Sequence, residues 1–106
     1  MYADSYGSGL YIGAVTKFLM ENGINPYDYF KDEIPSCCFC ATKAIDHGGE
    51  LYLPKNIKRI SDNAFNDSPG FHCADLRHIE YIGEGAFCYS DLTEVKFLFQ
   101  DNTWMI

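Results

Sequence analysis

A chain of 106 residues and 12.0 kDa has room for one small domain and little more. Apolar residues at 47%, aromatics at 16% and charged residues at 22% exclude a disordered chain. A formal charge of −7 argues against direct binding to a phosphate backbone, which needs clustered Lys and Arg; the nearest to a cluster, Lys55, Lys58 and Arg59, reads as a solvated face.

The first residues, MYADSYGSGLYIG, lack the basic start and long apolar core of a secretory leader, and no apolar run is long enough for a membrane helix. The expectation is an intracellular, cytoplasmic protein, placed in the host cytoplasm if phage-encoded. Over residues 10–22, Leu10, Ala14, Val15, Phe18 and Leu19 recur at three- and four-residue spacings and predict a helix stopped by Gly23. In INPYDYFKDEIP, Asn25 is the N-cap, Pro26 the first helical residue and Asp28 a first-turn acid, which predicts a second short helix over about residues 26–32. Its Tyr27 and Phe30 are placed to cover whatever follows.

From Ile34 the text repeats. Ile34-Pro-Ser-Cys-Cys38-Phe39, Ile60-Ser-Asp-Asn-Ala64-Phe65 and Ile82-Gly-Glu-Gly-Ala86-Phe87 each read Ile, three residues, a small residue and Phe. Phe39 to Phe65 is 26 residues and Phe65 to Phe87 is 22, a period suited to one supersecondary unit per repeat. Leu51-Tyr-Leu53, Leu76-Arg-His-Ile79 and Leu92-Thr-Glu-Val95-Lys-Phe97 are the strand candidates. A small residue beside each Phe lets a tight turn pack while the ring fills the space between copies, and copies that cannot bury their own inner face stack.

The stretches LPKNIKRISDNAF and HIEYIGEGAFCYSDLTEVKF resemble the BspA-like class of leucine-rich repeats. Leu53, Pro54, Ile57, Ile60, Ala64 and Phe65 fall in that register, as do Ile79, Ile82, Gly83, Ala86, Phe87, Ser90, Leu92 and Val95. The resemblance covers residues 51–97, and residues 34–50 loosely. It implies an α+β protein, a short leucine-rich-repeat solenoid of about three coils with an N-terminal helical cap. On this reading residues 1–33 are the cap, 34–97 the repeats and 98–106 a closing segment, all in one compact domain. The class implies binding of other proteins without catalysis.

Small leaderless chains of this kind look similar to accessory proteins of phages and mobile elements. The expected function is therefore a non-catalytic protein-binding module, an inhibitor that occludes a host protein such as a defence nuclease complex. The acidic charge favours a partner with a basic surface. One alternative is a structural, homo-oligomeric or virion-associated protein, suggested by the terminal Trp104-Met105-Ile106 and the open ends of a short stack. Another is a small zinc-stabilised domain.

Zinc enters through Cys37-Cys38-Phe39-Cys40 with His47, His72, Cys73 and His78, since thiolate and imidazole are zinc ligands. C-C-x-C lacks the C-x-x-C bite, however, and Cys38 falls at the small position of Ala64 and Ala86, while Cys40 and Cys88 each follow a core Phe. The expectation is structural, buried and reduced thiols with no metal or cofactor, and Cys37, Cys40, His72 and Cys73 are the alternative ligand set. His72-Cys73 as a base and nucleophile is disfavoured because neighbours in the chain seldom reach that geometry, and no oxyanion-binding group or third orienting residue accompanies them; no enzyme is expected. Gly83-Glu-Gly85 fits a tight turn and not a phosphate loop.

Two surfaces are candidates for a partner. Phe65 to Leu76 spans eleven residues where Phe87 to Leu92 spans five, and the excess, within NDSPGFHCAD, predicts an emergent loop. Pro69-Gly70 turns it so that Phe71 and His72 stand near the tip as anchors; the competing reading folds Phe71 back as cover. The second surface is the outward side of the strands, with Tyr52, Arg77, His78, Glu80, Glu94 and Lys96 pointing away from the core.

Overall fold

The structure, a computed structural model, describes the backbone of residues 5–97 and the side chains of residues 12–97. The expected closing segment 98–106 and the side chain of Leu10 lie outside the described residues. Helix α1, Ser5–Glu21, starts earlier than the apolar spacing suggests. It stops in the anticipated way. Gly23 takes a left-handed φ of 75°, Ile24 N donates to Leu19 O (2.9 Å) and Gly23 N to Met20 O (3.1 Å), a Schellman ending.

The buried face of α1 is rotated from the one read in the sequence. Thr16 is buried and Ile12 and Met20 pack on the core, whereas Phe18 is 62% exposed. Burying a threonine is tolerable here because its hydroxyl donates to Ile12 O at 2.9 Å and lies 3.3 Å from Cys38 Sγ. Asn25 does cap the next element, accepting from Tyr27 N at 2.9 Å, but that element is one 3-10 turn, Pro26–Tyr29, rather than a helix to residue 32. Its Tyr27 packs on Phe39, Phe30 and Tyr52, with ring centroids 5.6–5.9 Å apart.

Among the described residues seven short strands follow: β1 (Glu33–Ile34), β2 (Asp46–His47), β3 (Glu50–Leu51), β4 (Arg59–Ile60), β5 (Cys73–Asp75), β6 (Tyr81–Ile82) and β7 (Glu94–Lys96). One sheet is parallel, in the order β1-β4-β6; the other runs β2-β3-β5-β7, its first pair antiparallel and the rest parallel. The expected α+β leucine-rich-repeat solenoid of about three coils is therefore not the architecture of the described chain. It is a compact globule of one α-helix and two small sheets. The physical reasons are local. Strands of two or three residues are too short for a continuous strand face, and the Gly48-Gly49 turn, with φ of 63° and 92°, folds β2 back on β3 and breaks the parallel progression.

Inside this globule the three Ile-to-Phe stretches lie in matched positions. Ile34 pairs with Ile60 and Ile60 with Ile82 across the first sheet. The turn that follows each Ile has left-handed residues at equivalent places, Cys37, Asn63 and Gly85, then Ala41, Asp67 and Tyr89, with φ between 51° and 69°. Backbone bonds link one turn to the next: Phe39 N to Ala64 O and Phe65 N to Ala86 O, both 2.7 Å. Phe39, Phe65 and Phe87 consequently stack with centroids 5.1 and 5.2 Å apart and planes 2° from parallel. Cys38, Ala64 and Ala86 beside them are buried, as a side chain wedged between adjoining turns must be small.

Phe65 is the middle ring and fully buried, so Phe65→Ala removes contacts on both faces. Urea denaturation of this variant is expected to show a loss of about 3–5 kcal/mol. An unchanged midpoint would mean that the stack does not hold the core.

Candidate functional site

The longer connection between the second and third turns does not form a protruding anchor. Of the two readings of Phe71, the fold-back as cover holds: it is fully buried, edge-on to Phe65 (5.8 Å) and Phe87 (6.2 Å). Ser68 is buried beside it and donates to Thr42 O, while Gly70, with φ 104°, lies so near Lys43 that an added Cβ would sit 2.9 Å from its Cε. The six extra residues close over the ring stack because an unpaired Phe is better buried against two rings than in water. His72 stays exposed, but as part of the second sheet: its N donates to Gly49 O (2.9 Å) and its O accepts from Thr93 N (2.9 Å) and Glu94 N (3.1 Å).

The other expected partner-binding residues separate into three places. Tyr52 and His78 line a groove of about 240 Å³ with His47, Lys55 and Asp75; Tyr52 is half-buried there between Tyr27 and His47. His78 Nε2 is buried without a hydrogen-bond partner among the described residues. Arg77 stands beside this groove, and its guanidinium grips Asp75 through two bonds of 2.9 and 2.7 Å. Glu94 and Lys96 are exposed on β7 and line a second groove of about 560 Å³ with Glu50, Cys73, Ala74 and Val95. Glu80 lines neither groove; it lies just before β6, where its N donates to Lys58 O at 2.7 Å.

The cysteines divide as well. Cys38 is buried and its thiol is pushed up to about 12 by that burial, against an opposing hydrogen bond with Thr16. Burial likewise pushes Cys40 up to about 12, helped by neighbouring Cys37. Cys88 is exposed, contrary to the expectation of a buried thiol, because it sits on the outer side of the last turn. The alternative metal set of Cys37, Cys40, His72 and Cys73 is not assembled. Cys40 Sγ turns to Asn63 O (3.1 Å) among the stacked turns, while Cys73 Sγ faces Gly49 O (3.7 Å) in the second sheet. His72 and Cys73 meet Glu94 instead, and the ligand atoms of these three lie within 4.8 Å of one another.

A feature absent from the sequence reading is the edge of the last turn. In the first two turns, Cys37, Phe39 and Ala41 donate to Asp62, Ala64 and Asn66, and Asn63, Phe65 and Asp67 donate to Glu84, Ala86 and Cys88. The equivalent amides of Gly85, Phe87 and Tyr89 have no backbone partner among the described residues. Nor do the carbonyls of Glu80 and Ile82, whose counterparts Asp32, Ile34, Lys58 and Ile60 all accept from the next layer. Around this edge Tyr81, Ile82 and Tyr89 are 44, 39 and 85% exposed, and the Arg59 guanidinium lies 4.3 Å over the Tyr81 ring. The signal available in the sequence was that Ile82-to-Phe87 is the last copy of the pattern within the described residues.

Asp75 supplies a pH-dependent test of the groove wall. The Arg77 side chain bonded to it holds its carboxyl at about 2, below the ordinary 3.8. A carboxyl lowered on folding stabilises the fold above its ordinary range, and that contribution is lost as pH falls toward 2. In Arg77→Ala, NMR titration should return Asp75 toward 3.8; a carboxyl that stays near 2 would assign the shift to another partner. Comparison of the chain with protein-family models, with curated proteins and with solved structures finds no match.

Proposed function

We propose that this chain is a non-catalytic protein-binding module that receives an extended segment of another protein along the edge formed by β6 and the last turn. The observation that carries the reading is the row of amides at Gly85, Phe87 and Tyr89 beside the carbonyls of Glu80 and Ile82, none with a backbone partner among the described residues. Edge groups of this kind template the addition of a strand: main-chain bonds supply affinity, and side-chain contacts supply selectivity. Tyr81, Ile82 and Tyr89 offer apolar area beside the unpaired groups, and the formal charge of −7 favours a basic partner. The resemblance to BspA-like repeats also favours protein binding over catalysis. Occlusion of a host protein, the role of an inhibitor, is the action we favour for so small and acidic a chain.

The test is affinity capture and measured binding with two edge variants, Ile82→Lys and Tyr89→Lys, beside His72→Ala on the other sheet. A Lys on an edge opposes strand addition without removing any buried ring. The edge variants are expected to lose the captured partner, with affinity at least about tenfold weaker, a change of about 1.4 kcal/mol, while His72→Ala retains it. Retention by both edge variants with loss in His72→Ala would move binding to the second sheet and overturn the proposal.

A further inference from the structure

We propose that His72, Cys73 and Glu94 form a binding site for a divalent transition-metal ion of the zinc class. One imidazole, one thiol and one carboxylate meet here, with their ligand atoms within 4.8 Å of one another. The combination matches a borderline-soft ion, since zinc takes nitrogen, sulfur and carboxylate oxygen together. Bond lengths of roughly 2.0–2.3 Å at tetrahedral angles place ligand atoms roughly 3.2–3.8 Å apart. The remaining closure needs only side-chain rotation, because His72 and Glu94 are exposed and Cys73 is half-exposed.

The backbone fixes the three positions before any ion arrives. Cys73 pairs with Glu94 in the parallel register of β5 and β7, so their side chains leave the sheet on the same face. His72 is held from both sides: its N and Cys73 N donate to Gly49 O, and its O accepts from Thr93 N and Glu94 N. Gly49 also makes room for the ring, since a Cβ there would lie 2.4 Å from His72 Nε2. On the other side of Cys73, Glu50 pairs with it in β3, so two carboxylates flank the thiol across three adjacent strands. That charge favours a cation beside the sulfur. Glu50, Cys73 and Glu94 all face the groove of about 560 Å³, which leaves the fourth coordination position open to water or another small ligand. This site shares no residue with the β6 edge, so its test is independent of the proposed function.

The experiment is a cobalt(II) titration of the reduced, metal-stripped full chain, followed by absorption and then displacement with zinc. One equivalent of cobalt is expected to bind with a thiolate-to-cobalt absorption band that zinc abolishes. Cys73→Ala should lose the band, while Cys40→Ala and Cys88→Ala keep it. Glu94→Gln and His72→Gln should weaken cobalt binding at least about tenfold, given that loss of even an outer-shell partner costs metal affinity by that order. Absence of a thiolate band in the wild type, or a band that persists in Cys73→Ala, overturns the site. If Cys73→Ala does not fold, the exposed Glu94→Gln decides, with its fold checked by circular dichroism: unchanged cobalt affinity contradicts the proposal.

Discussion

The parallel stack of Phe39, Phe65 and Phe87 is the constraint to which the rest of the fold answers. Its 5.1 and 5.2 Å spacing is close to the distance between hydrogen-bonded strands, so one ring per layer fills the interior only if every layer repeats the same turn. Several sequence choices follow from that. The residue before each ring must be small, hence Cys38, Ala64 and Ala86. Each turn must pass twice through left-handed φ, which Asn and Gly accept readily and Cys37, Ala41 and Tyr89 accept at a cost of roughly 1–2 kcal/mol each. Gly83 is fixed by the layer above: a Cβ there would meet Asp62 Oδ1 at 2.3 Å, and that carboxylate accepts from Glu84 N at 2.9 Å. Every fully buried Phe contributes about 1.5–3 kcal/mol by leaving water, and Phe71 joins the cluster for the same reason.

Between successive turns the hydrogen bonds all run one way, and between successive strands they run the other way, so the stack has two unlike ends. Amides of each turn point to the carbonyls of the next, so the last turn is left with donors and the first with acceptors. At the first turn α1 provides cover: Gly13 lies so close that a Cβ would be 3.1 Å from Cys37 O, and Thr16 meets Cys38. At the last turn the described residues provide none, and Tyr89, the most exposed aromatic among the described residues, is found there. The asymmetry that makes the core cooperative thus also creates the surface proposed for a partner. The second sheet follows the same layering with a different outcome, as successive layers bring Glu50, Cys73 and Glu94 into one row.

Much of the interior was legible because it rests on short-range rules. Ile34 and Ile60 announced the layer positions by spacing alone, as did the small residue and Phe of each copy; Asn25 and Gly23 announced a cap and a stop by their chemistry. What failed depended on contacts between distant parts. The solenoid failed because repeat spacing does not reveal that strands are only two or three residues long, or that Gly48-Gly49 reverses the chain. The buried face of α1 was misread because Thr16 is polar, and its burial depends on a bond to its own helix. The choice between Phe71 at the loop tip and Phe71 folded back as cover was not legible because its two ring partners, Phe65 and Phe87, come from different layers. The juxtaposition of His72, Cys73 and Glu94 was out of reach for the same reason. Aligning His72-Cys73 with Thr93-Glu94 by the repeat offset brings these three together, whereas counting cysteines offered Cys37 and Cys40 only as part of an alternative set.

Amide hydrogen exchange resolved by residue tests the directional stack most directly. The amides of Phe39, Ala41, Phe65 and Asp67 should exchange slowly, since each donates to the next layer, while those of Gly85, Phe87 and Tyr89 should exchange fast in the free protein. Protection at Gly85, Phe87 and Tyr89 equal to that at Asn63, Phe65 and Asp67 would contradict the account, because it would mean that the last layer is already covered.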